Sequence, residues 1–194
     1  MVTSYALLLF CNLTLFAFLA SIIIESSIVS ADSRLVEELC NQTQDYKFCK
    51  DALDSDLRTP GADVVTLAYV AFGLAYSNAS STQDHITSLL SNSTGPVHQH
   101  LEQCQGDYFT AIAAIQDALT DLDSEKYGSL TYFSSTIGNQ AEDCESAFKG
   151  TKSPLTDSNN DLNRLSVICV AIAEWLAARP RTRCIGFRVG RFLA

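Results

Sequence analysis

Between Ala62 and Ala178 the apolar residues return every three or four positions, and the strict alternation of a half-buried strand bounded by tight turns is hard to find. That spacing is the mark of amphipathic helices. A first long segment follows the breaker Pro60-Gly61, with Val64, Leu67, Ala71, Leu74 and Ala75 on one stripe and Val65, Tyr69, Phe72 and Tyr76 on the next. So broad an apolar face predicts a helix buried on two sides. It runs on through Ile86, Leu89 and Leu90 to Gly95-Pro96, unless the polar patch Ser77 to Gln83 breaks it. A second helix starts at Pro96, a favoured first-turn residue, and carries Val97, Leu101, Cys104, Tyr108, Ile112, Ile115, Leu119 and Leu122. A third is expected from Asp123 or Ser124, whose side chains can cap free N–H groups, through Tyr127, Leu130, Ser134, Ile137, Ala141, Cys144 and Phe148. The last follows Ser153-Pro154, with Ser158 and Asp161 at capping-box spacing, and carries Leu162, Leu165, Cys169, Ile172 and Leu176. Four long helices with short connections predict an all-α, antiparallel up-down-up-down four-helix bundle, about 30 to 40 Å long.

Upstream the pattern changes. Ala6 to Ile24 is almost wholly apolar and ends at Glu25 and a run of small residues, which reads as a secretory signal peptide spanning 1–31, with Val29 and Ala31 at the cleavage-site positions. A run of this length could also span a bilayer, so a signal anchor is the alternative. Secretion, and no membrane attachment after cleavage, is the expectation carried forward. It gives meaning to three N-x-S/T sequons, at Asn41, Asn78 and Asn92, as candidate glycosylation sites.

The 194 residues carry a net charge of −9, but this averages two unlike pieces. Ala31 to Ala178 holds eight basic and 21 acidic side chains, a net of −13, whereas five arginines (179, 181, 183, 188 and 191) crowd into the last sixteen residues. An acidic body argues against a nucleic-acid partner and would attract a basic one. The segment 179–194 has no helical stripe and opens with Arg179-Pro180. It stands apart as an atypical basic tail, read as translated intron sequence in preference to an arm that docks on an acidic polymer.

Seven cysteines remain six once Cys11 leaves with the signal: Cys40, Cys49, Cys104, Cys144, Cys169 and Cys184. No CxxC pair exists, and His85, His98 and His100 stand near no cysteine, so neither a metal nor another cofactor is expected. In an exported chain such cysteines form disulfides. Cys104 and Cys144 fall on the core stripes of adjacent antiparallel helices and could bridge them, but six cysteines allow fifteen pairings and spacing does not choose among them. Cys169, inside the apolar run VICVAIA, reads as a buried free thiol. No GxSxG, HExxH or glycine-rich phosphate loop is present. Acidic residues such as Asp117, Asp121 and Glu142 lie off the core stripes, as solvated helix faces require. The expectation is therefore a non-enzymatic protein that presents a surface to a partner.

Four stretches resemble one family, the plant invertase and pectin methylesterase inhibitors. They are LVEELCNQTQDYKFCKDAL, with Cys40 and Cys49 around its DYxFC motif; Leu101-Glu102-Gln103-Cys104 followed by Tyr108; Asp143-Cys144-Glu145-Ser146-Ala147-Phe148; and Leu165 to Ala173. The similarity covers about Ser33 to Leu176 and extends to pollen invertase-inhibitor-like members, some of them allergens. It implies an inhibitor domain over 32–178, made of an N-terminal helical hairpin (32–60) closed by Cys40 and Cys49 and a bundle (61–178) with Cys104 bonded to Cys144 and Cys169 unpaired. It also implies a one-to-one complex that blocks the active site of a secreted cell-wall carbohydrate enzyme.

The resemblance offers two targets. Esterase inhibitors lay the helix after the third cysteine on the enzyme, together with a threonine just before the fourth. Here that stretch supplies Asp107 and Thr110, with Gly106 and Ala113 at positions acidic in the family and Asp143 in place of the threonine. Invertase inhibitors insert a Pro-Lys-Phe motif from the turn between the second and third bundle helices, where this chain has Glu125-Lys126-Tyr127. Lys126 and Tyr127 are thus contact candidates, but the run from Lys126 to Leu130 looks more like the esterase type. Pectin methylesterase is favoured, with cell-wall or vacuolar invertase as the alternative. The competing reading from another class is a small-ligand carrier or pollen-matrix protein, which an apolar cavity along the bundle axis would favour.

Overall fold

The computed structural model describes residues 34–178. The proposed signal segment, the arginine-rich tail, Cys11 and Cys184 lie outside the described residues. Residues 34–40 are helical (α1) and are followed by α2 (Tyr46–Asp54), α3 (Val64–Leu90), α4 (Gly95–Asp123), a 3-10 turn (Tyr127–Ser129), α5 (Leu130–Ala147) and α6 (Thr156–Ala178). Each of the helices α3 to α6 packs on the next, and α6 returns to α3, which closes an up-down-up-down ring. Among the described residues there is no strand. The bundle seen in the sequence is the bundle of the fold.

α3 begins where the Asp63 carboxylate accepts from the Thr66 N–H at 2.8 Å. It then runs 27 residues without interruption, about 40 Å. The patch Ser77 to Gln83 does not break it because its hydroxyls turn back onto the helix: Ser81 and Thr82 both donate to the Asn78 carbonyl, at 3.0 and 2.8 Å. Buried Ala79 and Thr82 meanwhile keep the core stripe continuous.

Two helix starts differ from the sequence reading. Asp123 is the last residue of α4, and Ser124 is the C-cap of that helix, not the N-cap of the next. The reason is Glu125, whose φ of 55° is left-handed and ends the helix; the Lys126 N–H then reaches back to the Asp121 carbonyl at 2.8 Å. Tyr127 consequently sits in the 3-10 turn, and α5 starts at Leu130. Ser158 and Asp161 likewise do not cap α6, which already begins at Thr156. Its entry is held by Ser153, whose hydroxyl accepts from the Leu155 N–H at 3.0 Å.

The bundle interior is filled by Phe72, Tyr108, Phe148, Leu67, Ile86, Leu101, Ile115, Leu122, Leu130 and Ile137, all almost fully shielded from solvent. α5 and α6 approach closely at Gly138, where an added Cβ would lie 2.4 Å from the Ser166 hydroxyl. A disulfide joins Cys40 to Cys49 within the hairpin and a second joins Cys104 on α4 to Cys144 on α5, with Cα atoms 4.6 Å apart. In the chain-entropy view they stabilise the fold by about 3 and about 4 kcal/mol. The α1–α2 hairpin lies on α6 through long-range contacts. Arg164 pairs with Asp45 at 3.2 Å and with Asp161, and stacks on the Phe48 ring at 4.0 Å. Trp175 donates its indole N–H to Gln42 at 2.8 Å.

Candidate functional site

The helices α4 and α5 are locked side by side at both ends of their contact. At one end is the Cys104–Cys144 disulfide, and at the other the Ser129 hydroxyl donates to the Asp121 carboxylate. This fixes an antiparallel register and brings residues separated by thirty to forty positions onto one outward face. Three sequence-nominated residues share it. Asp107 and Thr110 lie one turn apart on α4, and Asp143 flanks them from α5 beside the disulfide.

Their environments differ. Thr110 and Asp143 are exposed, and Thr110 donates to the Gly106 carbonyl at 3.0 Å. Asp107 is half-buried, and its Oδ2 is shielded from solvent with no hydrogen-bond partner. Burial, assisted by the negative charge of Asp143, pushes its carboxyl up from 3.8 to about 6. The face is therefore acidic, with one carboxyl poised to titrate in mildly acid solution.

Lys126 and Tyr127 sit elsewhere, in the turn at the far end of the same helix pair. Lys126 is exposed, whereas Tyr127 is half-buried and packs against the core. Its ring is thus committed to holding the turn. The face also carries a residue that sequence reasoning left out: Tyr132 on α5, 70% exposed, its ring meeting that of Phe133 at 5.6 Å. It lies off the core stripe, like any solvated position, and only its size gave a signal.

A buried polar network backs the face from inside. Tyr108 on α4 donates to Asn159 on α6 at 2.9 Å; Asn159 donates to Glu145 on α5 at 2.7 Å, and Thr156 donates to the other oxygen of Glu145, also at 2.7 Å. Three helices are pinned together within two turns of the disulfide. Burial pushes the Tyr108 hydroxyl well above the usual phenol range.

The remaining nominated residues are dispersed. Asn41 and Asn92 are exposed in turns, while Asn78 is half-buried inside α3, its side-chain oxygen shielded and unpartnered. It lines the groove between α2, α3 and α6 with Phe48, Ala52 and Leu165. Cys169 is free and fully buried, and burial pushes its thiol far above the ordinary value, which leaves it inert. His98 contacts Ser93 at 3.0 Å, and His100 packs on Phe148 with centroids 5.2 Å apart, so the two imidazoles serve separate local roles. Among the described residues no group of three or more His, Cys, Asp or Glu side chains is placed to hold a metal. No helix among them is long and apolar enough to cross a membrane.

Comparison with known proteins gives one consistent result. The sequence profile "Plant invertase/pectin methylesterase inhibitor" matches residues 34–172. The chain is 30% identical over 161 residues to the "Putative invertase inhibitor" of Platanus orientalis, covering 78% of this chain and 94% of that protein. It is 29% identical over 162 residues to the "Pectinesterase inhibitor" of Actinidia deliciosa, covering 83% of this chain and 88% of that protein. Its fold is similar to a crystal structure of a mutant form of a pectin methylesterase inhibitor from Arabidopsis, with a TM-score of 0.65 over 70% of this chain and 93% of that one, at 18% identity.

Proposed function

Since the chain belongs to the plant invertase/pectin methylesterase inhibitor family, and so to a group of non-catalytic inhibitors, we propose that its target is a pectin methylesterase, held in a one-to-one complex that covers the enzyme's active site. The observation that carries this preference is the division of labour between the two candidate regions. Asp107, Thr110 and Asp143 come together on the outward α4–α5 face, where an esterase inhibitor is expected to make contact. The Lys126-Tyr127 turn, where an invertase inhibitor is expected to insert an aromatic ring, instead keeps that ring half-buried against its own core.

A bundle braced by a disulfide and by the Tyr108–Asn159–Glu145 network presents its face without rearranging, which lowers the ordering cost of association. The acidic body favours a basic partner and hastens encounter, with an association rate that falls as salt rises. Secretion to the cell wall, where such an enzyme works, fits the apolar N-terminal segment and the sequons. The test is titration of the purified protein against a plant pectin methylesterase and, separately, an acid invertase. Stoichiometric loss of esterase activity at micromolar or lower concentration supports the reading; no loss there with stoichiometric loss of invertase activity reverses it.

A further inference from the structure

The outward α4–α5 face carries a large aromatic side chain that packing does not explain. Tyr132 is 70% exposed, yet its ring is braced edge-on by Phe133, which is itself half-buried against the core. An exposed ring held in this way loses little freedom on binding, which is why tyrosine serves so often as an interface anchor. Tyr132 and Asp143 are eleven residues apart, three full turns, and therefore share one side of α5. The register set by Cys104–Cys144 and Asp121–Ser129 brings Tyr132 level with exposed Asp117 on α4. From Tyr132 to Asp143 is about 16 Å along the helix. Both therefore fit within the footprint of a standard interface, about 800 Å² per partner.

We infer that Tyr132 is the anchor of the inhibitory face: its ring enters an apolar, sugar-binding recess of the target enzyme, while Asp107, Asp117 and Asp143 meet basic side chains around it. The inference rests on the inhibitory reading above and names the residue that makes that reading work. The chemistry suits a carbohydrate enzyme, because a subsite for a sugar ring must offer apolar surface to the ring's C–H face and polar groups to its hydroxyls. A phenol presents the same combination. Surrounding carboxylates raise selectivity for a positively charged rim.

Phe109 provides the internal control. It is also 70% exposed, but stands two residues beyond Asp107 and so about 200° around α4. That turns it to the α3 side, where Tyr69 bonds Asp123 and Gln83 bonds the Gln105 carbonyl. If any exposed aromatic would serve, the two would behave alike.

The experiment uses the full chain produced in a secreting host, with Tyr132→Ala, Tyr132→Gln, Tyr132→Phe and Phe109→Ala, titrated against pectin methylesterase and acid invertase, with melting temperature as the check on folding. Against pectin methylesterase, Tyr132→Ala and Tyr132→Gln are expected to raise Ki ten- to a hundredfold, Tyr132→Phe three- to tenfold, and Phe109→Ala less than threefold. An unchanged Ki for both Tyr132→Ala and Tyr132→Gln beside an active wild type overturns the inference and leaves the inhibitory reading intact, as does a Phe109→Ala loss equal to theirs. A wild type that inhibits invertase alone, or neither enzyme, removes the esterase reading and this inference with it.

Discussion

Replacing Asp107 by Asn should stabilise the protein at neutral pH and leave it unchanged in acid. The carboxyl is half-buried, has a shielded oxygen without a partner, and faces the charge of Asp143. In the native state it keeps its proton up to about pH 6, whereas the unfolded chain releases it near 3.8. Between these values the unfolded state is ionised while the native state still holds the proton, so stability falls as pH rises through the window and levels off above it. At about 1.4 kcal/mol per pH unit the full cost is about 3 kcal/mol. Partial solvent access screens the charge and reduces this to about 1–2 kcal/mol. Asn has nearly the same shape and no charge, so it removes the penalty. For a domain of this size the gain corresponds to roughly 3–8 °C in melting temperature. Calorimetric melts of both proteins from pH 3.5 to 8 should show a difference that grows between about 4 and 6 and is flat above 7. A difference that is constant with pH, or a variant that melts earlier at pH 7.5, would show that the shielded Asp107 charge does not destabilise the native state.

Two other predictions rest on local geometry. Gly138→Ala places a methyl where the Ser166 hydroxyl now sits, bonded to the Asn163 carbonyl at 2.7 Å; it should cost about 1–3 kcal/mol in denaturant unfolding, and Ser166→Ala in the same chain should restore most of it. Glycopeptide mass spectrometry of the secreted protein should find sugar on Asn41 and Asn92 and none on Asn78, because a glycan at Asn78 would have to leave the groove lined by Phe48, Ala52 and Leu165.

How much the sequence disclosed depends on how far each feature reaches along the chain. The four helices were legible because a stripe at three-to-four spacing is a local property, and Leu101, Cys104, Tyr108 and Ile115 are indeed buried together. The caps expected at Asp123 or Ser124 and at Ser158 differ from those in the fold because a capping residue is defined by the backbone on either side of it. At Ser124 the decisive event lies one residue later, in the left-handed Glu125. Asp107, Thr110 and Asp143 could be nominated from their places beside Cys104 and Cys144, but the shielding of Asp107 depends on how α4 and α5 meet and has no sequence signature. Tyr108 reads as one more apolar position; its bond to Asn159, 51 residues away, and the further link to Glu145 exist only once three helices converge. The clasp of the hairpin on α6 by Asp45–Arg164 and Gln42–Trp175 joins residues 119 and 133 positions apart, beyond any periodicity. Tyr132 shows nothing in the sequence beyond its size because, off the stripe, an anchor and an idle surface residue look the same until the faces on either side are known.

If the inhibitor works as proposed, its outward α4–α5 face carries the target enzyme. Photocrosslinking tests it most directly, with a photoreactive side chain placed in turn at exposed Thr110 on α4, exposed Asn139 on α5 and exposed Ser88 on α3, each protein then mixed with pectin methylesterase and irradiated. Covalent one-to-one adducts are expected from Thr110 and Asn139 and none from Ser88. Adducts from Ser88 alone, or equal yields from all three positions, would contradict that placement.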